Sequence, residues 1–441
     1  MMGKKWSLII YFLIVTINLS AQEAGTKTPY PFSQQQYTPA PAGFEPVFVN
    51  YVGRHGARFL TKAGSDITLL QVLSEAEKEH ALTKKGVLLK AMVIRFLSIE
   101  NNNYENISLL GEEEQAGIGA RLYNNYKPAF KGRGMEVQIT HKVRTKQSAD
   151  AFLRSFAGQK SEFALVKDSD ENVLRFYDLS PAYQVFKNSL SVQLDSLEKD
   201  PRTKQTAASV CAKIFTGTFI KNGVKVTVRQ KPVVMDAAAI AACVYDLYSV
   251  QLSIPLEMKK KGYTRDSIDF GIVLDQKELQ WFNFKNGAAD FLEKGAGIDT
   301  LGIQVRIAAP LLADFLNSTE NPTGKDAVLR FTHAEAISPF ATLLGIRTAS
   351  VPAASVYNYN RHWKASSIIP LSANIQWIIY SNGKEKLVKV LLNEREVALP
   401  VKTAHYPYYR WEDVRYYYLN KLKSIGVNPK DDMHQYLLQL K

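Results

Sequence analysis

The sequence predicts an α/β protein in which helices flank a central mixed sheet and a helical domain is inserted between the strands. Three observations indicate this class. A strand followed by a loop and a helix occurs twice, at residues 135–158 and again at residues 327–345. Between them, residues 160–300 are dominated by helical patterns. Two further strands follow at residues 374–394, so the α/β pattern returns after the helical segment.

The first half of the chain supplies the elements in order. Residues 44–52 (FEPVFVNYV) predict a buried strand, because β-branched and aromatic residues are bounded by turn residues. Residues 65–100 carry apolar side chains at helical spacing and predict two helices. Residues 111–126 open with acidic side chains, as helix N-termini often do. Residues 135–141 alternate as a strand, and residues 145–158 follow as a helix.

The domain division follows from the change of pattern. We expect an α/β domain made of residues 22–160 and 300–441, with residues 161–299 as the inserted helical domain. The second unit of the α/β domain is a strand at residues 327–333 and a helix at residues 334–345.

Composition and charge restrict the function. The 441 residues are 46% hydrophobic and 22% charged, which is an ordinary globular composition. The formal charge of +13 indicates an acidic partner. Nucleic acid is not expected, because no contiguous basic stripe is present and the densest run, residues 257–265, suits a solvated helix end. A polyphosphorylated small molecule fits the charge better.

The N-terminus has the layout of a secretory signal peptide. Lys4 and Lys5 precede a 12-residue apolar stretch, residues 8–19, and small residues follow, with cleavage expected after Ala21. The stretch is too short for a good transmembrane span, and no nearby cysteine could carry a lipid. We therefore expect a secreted or periplasmic protein without a stable membrane anchor. Removing residues 1–21 takes away two lysines and no acids, which leaves +11.

Cys211 and Cys243 are the only cysteines. Export permits a disulfide between them, whereas their Ala-rich helical surroundings equally suit small buried thiols. Neither has neighbours at metal-ligand spacing, so no metal site is expected.

Unusual chemistry follows three of the predicted strands. Ligands of open α/β sheets bind beyond the carboxyl ends of the strands, so these residues are expected to share one pocket. They are Arg54, His55 and Arg58 after the first strand, Arg144 after the second, and His333 and Glu335 after the third.

The motif RHGAR followed by FLT resembles the RHGxRxPT signature of the histidine acid phosphatases, with Leu60 in place of the usual proline. THAE resembles their second motif, in the HAE form of the multiple inositol polyphosphate phosphatase subfamily. Further stretches resemble that subfamily in the same order, so the likeness covers essentially the whole mature chain: GTKTPY, HKVRTKQSADAFL, VLRFYD, YNYNRHW and VLLNEREVALP.

This resemblance implies a histidine phosphatase fold and a role for each site residue. His55 would attack phosphorus and form a phosphohistidine. Glu335, one residue later than the family's usual Asp, would protonate the leaving alkoxide and then activate water. Gly56 would let the backbone approach the phosphate. No cofactor or metal is implied. The implied phosphate-binding residues are Arg54, Arg58, Arg144 and His333.

The expected function is an exported phosphohydrolase acting on inositol hexakisphosphate and lower inositol polyphosphates, with Lys62 and Lys142 as candidate contacts for outer phosphates. A broad-specificity acid phosphatase or sugar-phosphate phosphatase would share the catalytic residues. A polyanion-binding protein without activity would explain the charge and the export. It would gain nothing from Glu335, which repels an anion.

Overall fold

The computed structural model describes residues 23–156, 163–168, 170–228, 230–299 and 301–441, and for residues 163–168 it describes the backbone alone. The predicted signal peptide, residues 1–21, lies outside the described residues. Within these ranges no helix is long and apolar enough to cross a membrane.

The strands are β1 (Glu45–Arg54), β2 (Met135–Ile139), β3 (Phe163–Asp168), β4 (Val224–Val228), β5 (Lys231–Met235), β6 (Ala327–Thr332), β7 (Asn374–Ser381), β8 (Lys386–Leu392), β9 (Arg395–Glu396) and β10 (Tyr408–Arg410). The helices are α1 (Ser65–Lys78), α2 (Lys84–Glu100), α3 (Leu109–Asn125), α4 (Val143–Arg154), α5 (Glu171–Leu174), α6 (Phe176–Leu179), α7 (Pro181–Ser189), α8 (Ser191–Glu198), α9 (Pro201–Ile214), α10 (Ala237–Gln251), α11 (Pro255–Lys260), α12 (Gln276–Lys294), α13 (Ile303–Arg306), α14 (Ala309–Glu320), α15 (Ala334–Leu343), α16 (Arg347–Ser350), α17 (Ala365–Ile368), α18 (Trp411–Ser424) and α19 (Met433–Gln439). Short 3-10 helices lie at Gly25–Lys27, Lys127–Ala129, Arg265–Ser267, Phe270–Val273 and Tyr359–Arg361.

Side-chain caps explain where several helices begin. The Thr83 hydroxyl accepts a hydrogen bond from the Gly86 backbone at the start of α2, and Ser108 does the same for α3. At the start of α12, Asp275 and Glu278 form a reciprocal capping box. These caps satisfy backbone N–H groups that the first helical turn leaves without partners.

The main sheet is mixed, as the sequence predicted. Its order is β10-β8-β7-β1-β6-β2-β3, with β9 beside β8. Neighbours β1, β6, β2 and β3 run parallel, whereas β7 lies antiparallel to β1 and β8 antiparallel to β7. The carboxyl ends of β1, β6 and β2 consequently meet at one edge. The predicted fold class is confirmed.

Side chains that alternate along each strand build a core on both faces of the sheet. In β1, Phe48 and Val52 belong to the core that includes α12, α14 and α15, whereas Val49 and Tyr51 belong to the core on the α3 and α4 side. The sheet is therefore buried on both faces, and its chemistry is confined to its edges and ends.

A third core lies away from the sheet. It joins α1 and α2 to α9 and α10, and the β4–β5 hairpin covers it. The division that places a helical domain at residues 161–299 stays a prediction. At the predicted start of that domain, β3 (Phe163–Asp168) pairs with β2 in the main sheet. The third core also includes helices from before residue 161.

Both cysteines of this helical region are free thiols. Burial raises the pKa of Cys211 to about 12 and that of Cys243 to about 11. Cys211 is buried and Cys243 is partly buried, which fits one of the two alternatives that the sequence left open, that of small thiols packed in the helical region.

Candidate active site

The parallel pairing of β1 and β6 brings the two histidines together. Arg54 lies opposite Thr332 in the register, and the His55 backbone N–H donates to the Thr332 carbonyl at 3.0 Å. The imidazoles of His55 and His333 follow, both buried, with ring centroids 5.5 Å apart. Residues separated by 278 positions in the sequence thus share one site because two strands end side by side.

The His55 ring has a defined tautomer. Its Nδ1 lies 3.0 Å from the Gly56 carbonyl oxygen, which can only accept a hydrogen bond. Nδ1 therefore carries the hydrogen, and Nε2 keeps its lone pair. Burial, followed by the charges of Arg54, Arg58 and other nearby cations, lowers the pKa of His55 well below its ordinary value. The ring is neutral at physiological pH.

The three predicted arginines converge on this ring. Arg54 is fixed by hydrogen bonds of 2.6 Å from Nη1 to the Thr26 and Ile369 carbonyls. Arg58 Nη1 donates to the Phe59 carbonyl at 2.7 Å. Burial, with repulsion from neighbouring guanidiniums, lowers the pKa of Arg54 and of Arg58 to about 10, and burial lowers the pKa of Arg144. All three stay charged at neutral pH, with Arg54 buried and Arg58 and Arg144 partly buried beside it.

Several buried nitrogen atoms of this cluster have no hydrogen-bond partner among the described residues. They are Arg54 Nε, Arg58 Nε, Arg144 Nε and Nη1, and His333 Nδ1. Buried polar groups in native proteins are nearly always paired, so such a concentration indicates a site for an acceptor-rich anion. An anion would also relieve the repulsion between the guanidiniums.

His333 is held by a hydroxyl. Its Nε2 lies 3.1 Å from Thr140 Oγ1, at the end of β2, and Thr140 Oγ1 lies 2.9 Å from Thr145 Oγ1. Because a hydroxyl both donates and accepts, Thr140 can support the tautomer whose Nδ1 carries the hydrogen. Burial and the charge of Arg144 lower the pKa of His333 well below its ordinary value.

Glu335 is the last residue of the second motif and lies in the first turn of α15. Its side chain is about one-third exposed, and its Oε1 lies 3.4 Å from Lys294 Nζ. Burial alone would raise the pKa of Glu335, but the charge of Lys294, followed by the interaction with His333, holds it well below the ordinary value. The N-terminal position in a helix acts in the same direction.

The backbone after His55 is held from α3 and α4. Gly56 N donates to Ser148 Oγ at 3.0 Å, and Ala57 N donates to Glu114 Oε2 at 2.9 Å. A Cβ on Gly56 would meet the Gly111 carbonyl oxygen at 2.6 Å and its Cα at 2.8 Å. The structure therefore gives close helix packing as the reason for glycine here, whereas the sequence suggested room for phosphate.

All six residues predicted for the site lie at this edge. Sequence reasoning missed Thr140, Glu114 and Lys294. Thr140 ends a predicted strand and could have been suspected. Lys294 ends a helix 41 residues before Glu335 in the sequence, and no local spacing signals their contact. Among the described residues, no group of three or more His, Cys, Asp or Glu side chains could hold a metal ion.

A family model described as the histidine phosphatase superfamily (branch 2) matches residues 47–393. Phytase A of Emericella nidulans is 23% identical over 420 residues, which cover 85% of this chain and 82% of the relative.

Two solved structures have a similar fold. A multiple inositol polyphosphate phosphatase from Bifidobacterium longum, in complex with inositol hexasulfate, superposes with a TM-score of 0.76 at 22% identity, covering 92% of this chain and 97% of that one. The phytase from D. castellii superposes with a TM-score of 0.67 at 16% identity, covering 94% and 89%.

Proposed function

Because the chain belongs to the histidine phosphatase superfamily (branch 2), we propose that it removes phosphate groups from inositol hexakisphosphate and lower inositol polyphosphates through a phosphohistidine on His55. Family membership rests on the match over residues 47–393, which is most of the chain. The chain is therefore a phosphomonoester hydrolase of the histidine acid phosphatase type. The substrate and the intermediate are the parts proposed.

One observation carries the proposal. A neutral imidazole with a free Nε2 lies among guanidiniums whose buried nitrogens lack partners. A planar guanidinium group can donate two parallel hydrogen bonds to two oxygens of one phosphate. A neutral imidazole nitrogen is nucleophilic. An anion-binding protein without activity would need the arginines but not the nucleophile.

In the first step, the Nε2 lone pair of His55 forms a bond to phosphorus while the bond to the ester oxygen breaks. Arg54, Arg58 and Arg144, with His333, would hold the non-bridging oxygens as charge spreads over them. Glu335, protonated in the bound complex, gives its proton to the departing alkoxide. The products are the free alcohol and a phosphohistidine.

In the second step, water attacks the phosphorus of the phosphohistidine. The Glu335 carboxylate takes a proton from the water as the new phosphorus–oxygen bond forms. The bond between phosphorus and Nε2 breaks, and His55 regains its lone pair. Inorganic phosphate is released, and Glu335 holds the proton again, as it did in the bound complex.

Charge and similarity support a polyphosphate as the substrate. The proposed mature chain carries +11, more positive charge than a monophosphate could match. Proteins similar to this chain are named as a phytase and as a multiple inositol polyphosphate phosphatase, the latter solved with inositol hexasulfate. We also propose export to the periplasm or beyond, on the pattern of residues 1–21 alone.

Phosphate release from inositol hexakisphosphate, a sugar monophosphate and a chromogenic aryl phosphate tests the function. We expect kcat/KM to be highest for the hexakisphosphate, with stepwise lower inositol phosphates as products. A preference for monophosphates would leave a broad-specificity acid phosphatase. Binding of the hexakisphosphate without turnover of any ester would leave the polyanion-binding protein.

A further inference from the structure

The C-terminal end of α12 meets the N-terminal end of α15 beside the site. Lys294, the last residue of α12, has a side chain only 8% exposed. Its Nζ lies 3.0 Å from Asp290 Oδ1, one helical turn earlier, and 3.4 Å from Glu335 Oε1. Glu293 Oε2 is more distant, at 3.9 Å. Lys294 therefore connects an acid of its own helix to the acid of the second motif.

Lys294 is charged although it is buried. Burial acts to lower the pKa of a lysine, but here Asp290, Glu335 and Glu293 outweigh it and raise the pKa well above the ordinary value. The partial negative charge at a helix C-terminus favours the ammonium in the same way. Because this ammonium is enclosed and already paired, it is not available to outer phosphates at the pocket rim.

We propose that Lys294 is a positioning residue for Glu335. Anchored by Asp290, it holds the Glu335 carboxylate at the edge of the anion pocket and keeps this carboxylate ionised until substrate binds. The inference rests on the proposed role of Glu335 as the acid and base of the reaction. Lys294 itself transfers no proton to the substrate in this scheme.

The charges around Glu335 explain why such a residue matters. Among the groups around Glu335, Lys294 lowers the pKa of this carboxyl most, ahead of His333 and Arg54. Glu335 is therefore ionised before substrate binds, although a general acid must be protonated. The negative charge of a bound phosphate opposes these cations and lets Glu335 take up a proton. The charged and titratable groups that interact with Glu335 include Arg54, Arg58, Arg144, Tyr177, Tyr183, Glu293, Lys294 and His333, and Asp290 acts on it through Lys294.

Substitutions of Lys294 and of Asp290 should have opposite effects on the pH dependence of the reaction. Lys294→Met keeps most of the side-chain length and removes its charge, so Glu335 should hold its proton to higher pH. The basic limb of the kcat profile on a sugar monophosphate should move up by about one pH unit or more. Asp290→Asn leaves Lys294 to pair mainly with Glu335, so the same limb should move down. Lys294→Arg keeps the charge and should keep the limb near the wild-type position.

The matched control is Lys285→Met, which removes a lysine of the same helix that pairs with Glu198 rather than with Glu335. It should not move the limb. In Lys294→Met, kcat should fall more than KM changes, since the substrate's phosphate is bound by other residues. Thermal unfolding checks that each variant is folded, and Asp290→Asn provides the test if Lys294→Met does not fold.

A uniform loss of activity at all pH values in folded Lys294→Met, with the basic limb unmoved, would overturn the inference. So would movement of the limb in the same direction in Asp290→Asn and Lys294→Met. Failure of the proposed function looks different: the wild-type protein would not hydrolyse phosphate esters, or His55→Ala would keep its activity. The two failures are therefore distinguishable in one set of variants.

Discussion

The imidazole of His55 lies edge-on to that of His333, with ring centroids 5.5 Å apart and ring planes at 61°, across the ends of two paired strands. Both rings are imidazoles, but their hydrogen-bond partners differ. His55 is tied to the Gly56 carbonyl, which leaves Nε2 with its lone pair. His333 faces the Thr140 hydroxyl, which permits a hydrogen on Nδ1. The partners thus suit one ring to attack phosphorus and the other to donate to phosphate oxygen.

Glu335→Gln tests the acid role through the leaving group. We expect hydrolysis of a sugar phosphate or inositol phosphate to fall by about a hundredfold or more, because the alkoxide then leaves without a proton. Formation of the phosphoenzyme from a nitrophenyl phosphate should fall much less, since that leaving group needs little protonation. Single-turnover release of each alcohol measures the difference. Equal slowing of both substrates would assign the proton to another group.

Ionic strength tests whether outer phosphates use the rim. Lys62 is exposed, and Lys142, which follows β2, is partly exposed; contacts through such lysines are screened by salt. The advantage of inositol hexakisphosphate over a sugar monophosphate in kcat/KM should shrink as salt is added. Lys142→Gln should reduce the advantage about two- to fivefold.

Lys146→Gln is the matched control for this rim contact, because Lys146 lies in the first turns of the helix that Lys142 precedes and is exposed but paired with Asp150. It should leave the ratio of the two kcat/KM values unchanged. A ratio that is insensitive to salt in the wild-type protein would show that the outer phosphates do not contact the rim lysines.

Glu100 gives a prediction for stability. It is buried behind Arg58, accepts a hydrogen bond from Leu60 N at 3.0 Å, and burial raises its pKa to about 8. Because the folded state binds this proton more tightly than the unfolded state does, protonation of Glu100 contributes stability. The contribution is complete below the unfolded pKa of about 4.3 and is lost as pH rises towards 8. Glu100→Gln should therefore be more stable than wild type at pH 9, by on the order of 2 kcal/mol, and should lose this advantage near pH 5.

Urea unfolding at the two pH values measures this effect. Glu75→Gln, on exposed α1 surface beside Lys78, is the control and should change stability little at either pH. If the free energies of unfolding of Glu100→Gln and wild type ran parallel from pH 5 to pH 9, Glu100 would not titrate as the structure indicates.

The strand ends were predictable from the sequence because the residues that carry the chemistry follow their strands directly. His55 comes one residue after β1, and His333 one residue after β6. Parallel pairing then brings them together, which is a general property of α/β sheets. The fold class followed from the same pattern of strands and helices.

Other features depended on tertiary contacts that no local pattern records. The β4–β5 hairpin, with the alternating valines of β4, lies within a stretch whose other patterns are helical, so the helix-rich pattern does not predict it. Lys294 reaches Glu335 because the ends of two helices meet, and Glu114 holds the backbone of Ala57 from α3. The supports of the site, rather than its reacting groups, were what the sequence did not reveal.

Trapping the covalent intermediate tests the central claim most directly. Wild-type protein mixed with labelled inositol hexakisphosphate and quenched within milliseconds should yield a phosphoprotein that is labile in acid and stable in base, as expected for phosphohistidine. His55→Ala should yield none, and its turnover should fall by about a thousandfold or more, while it still competes for the labelled substrate. Near-native turnover in His55→Ala, or an acid-stable phosphoester in the wild type, would contradict the account.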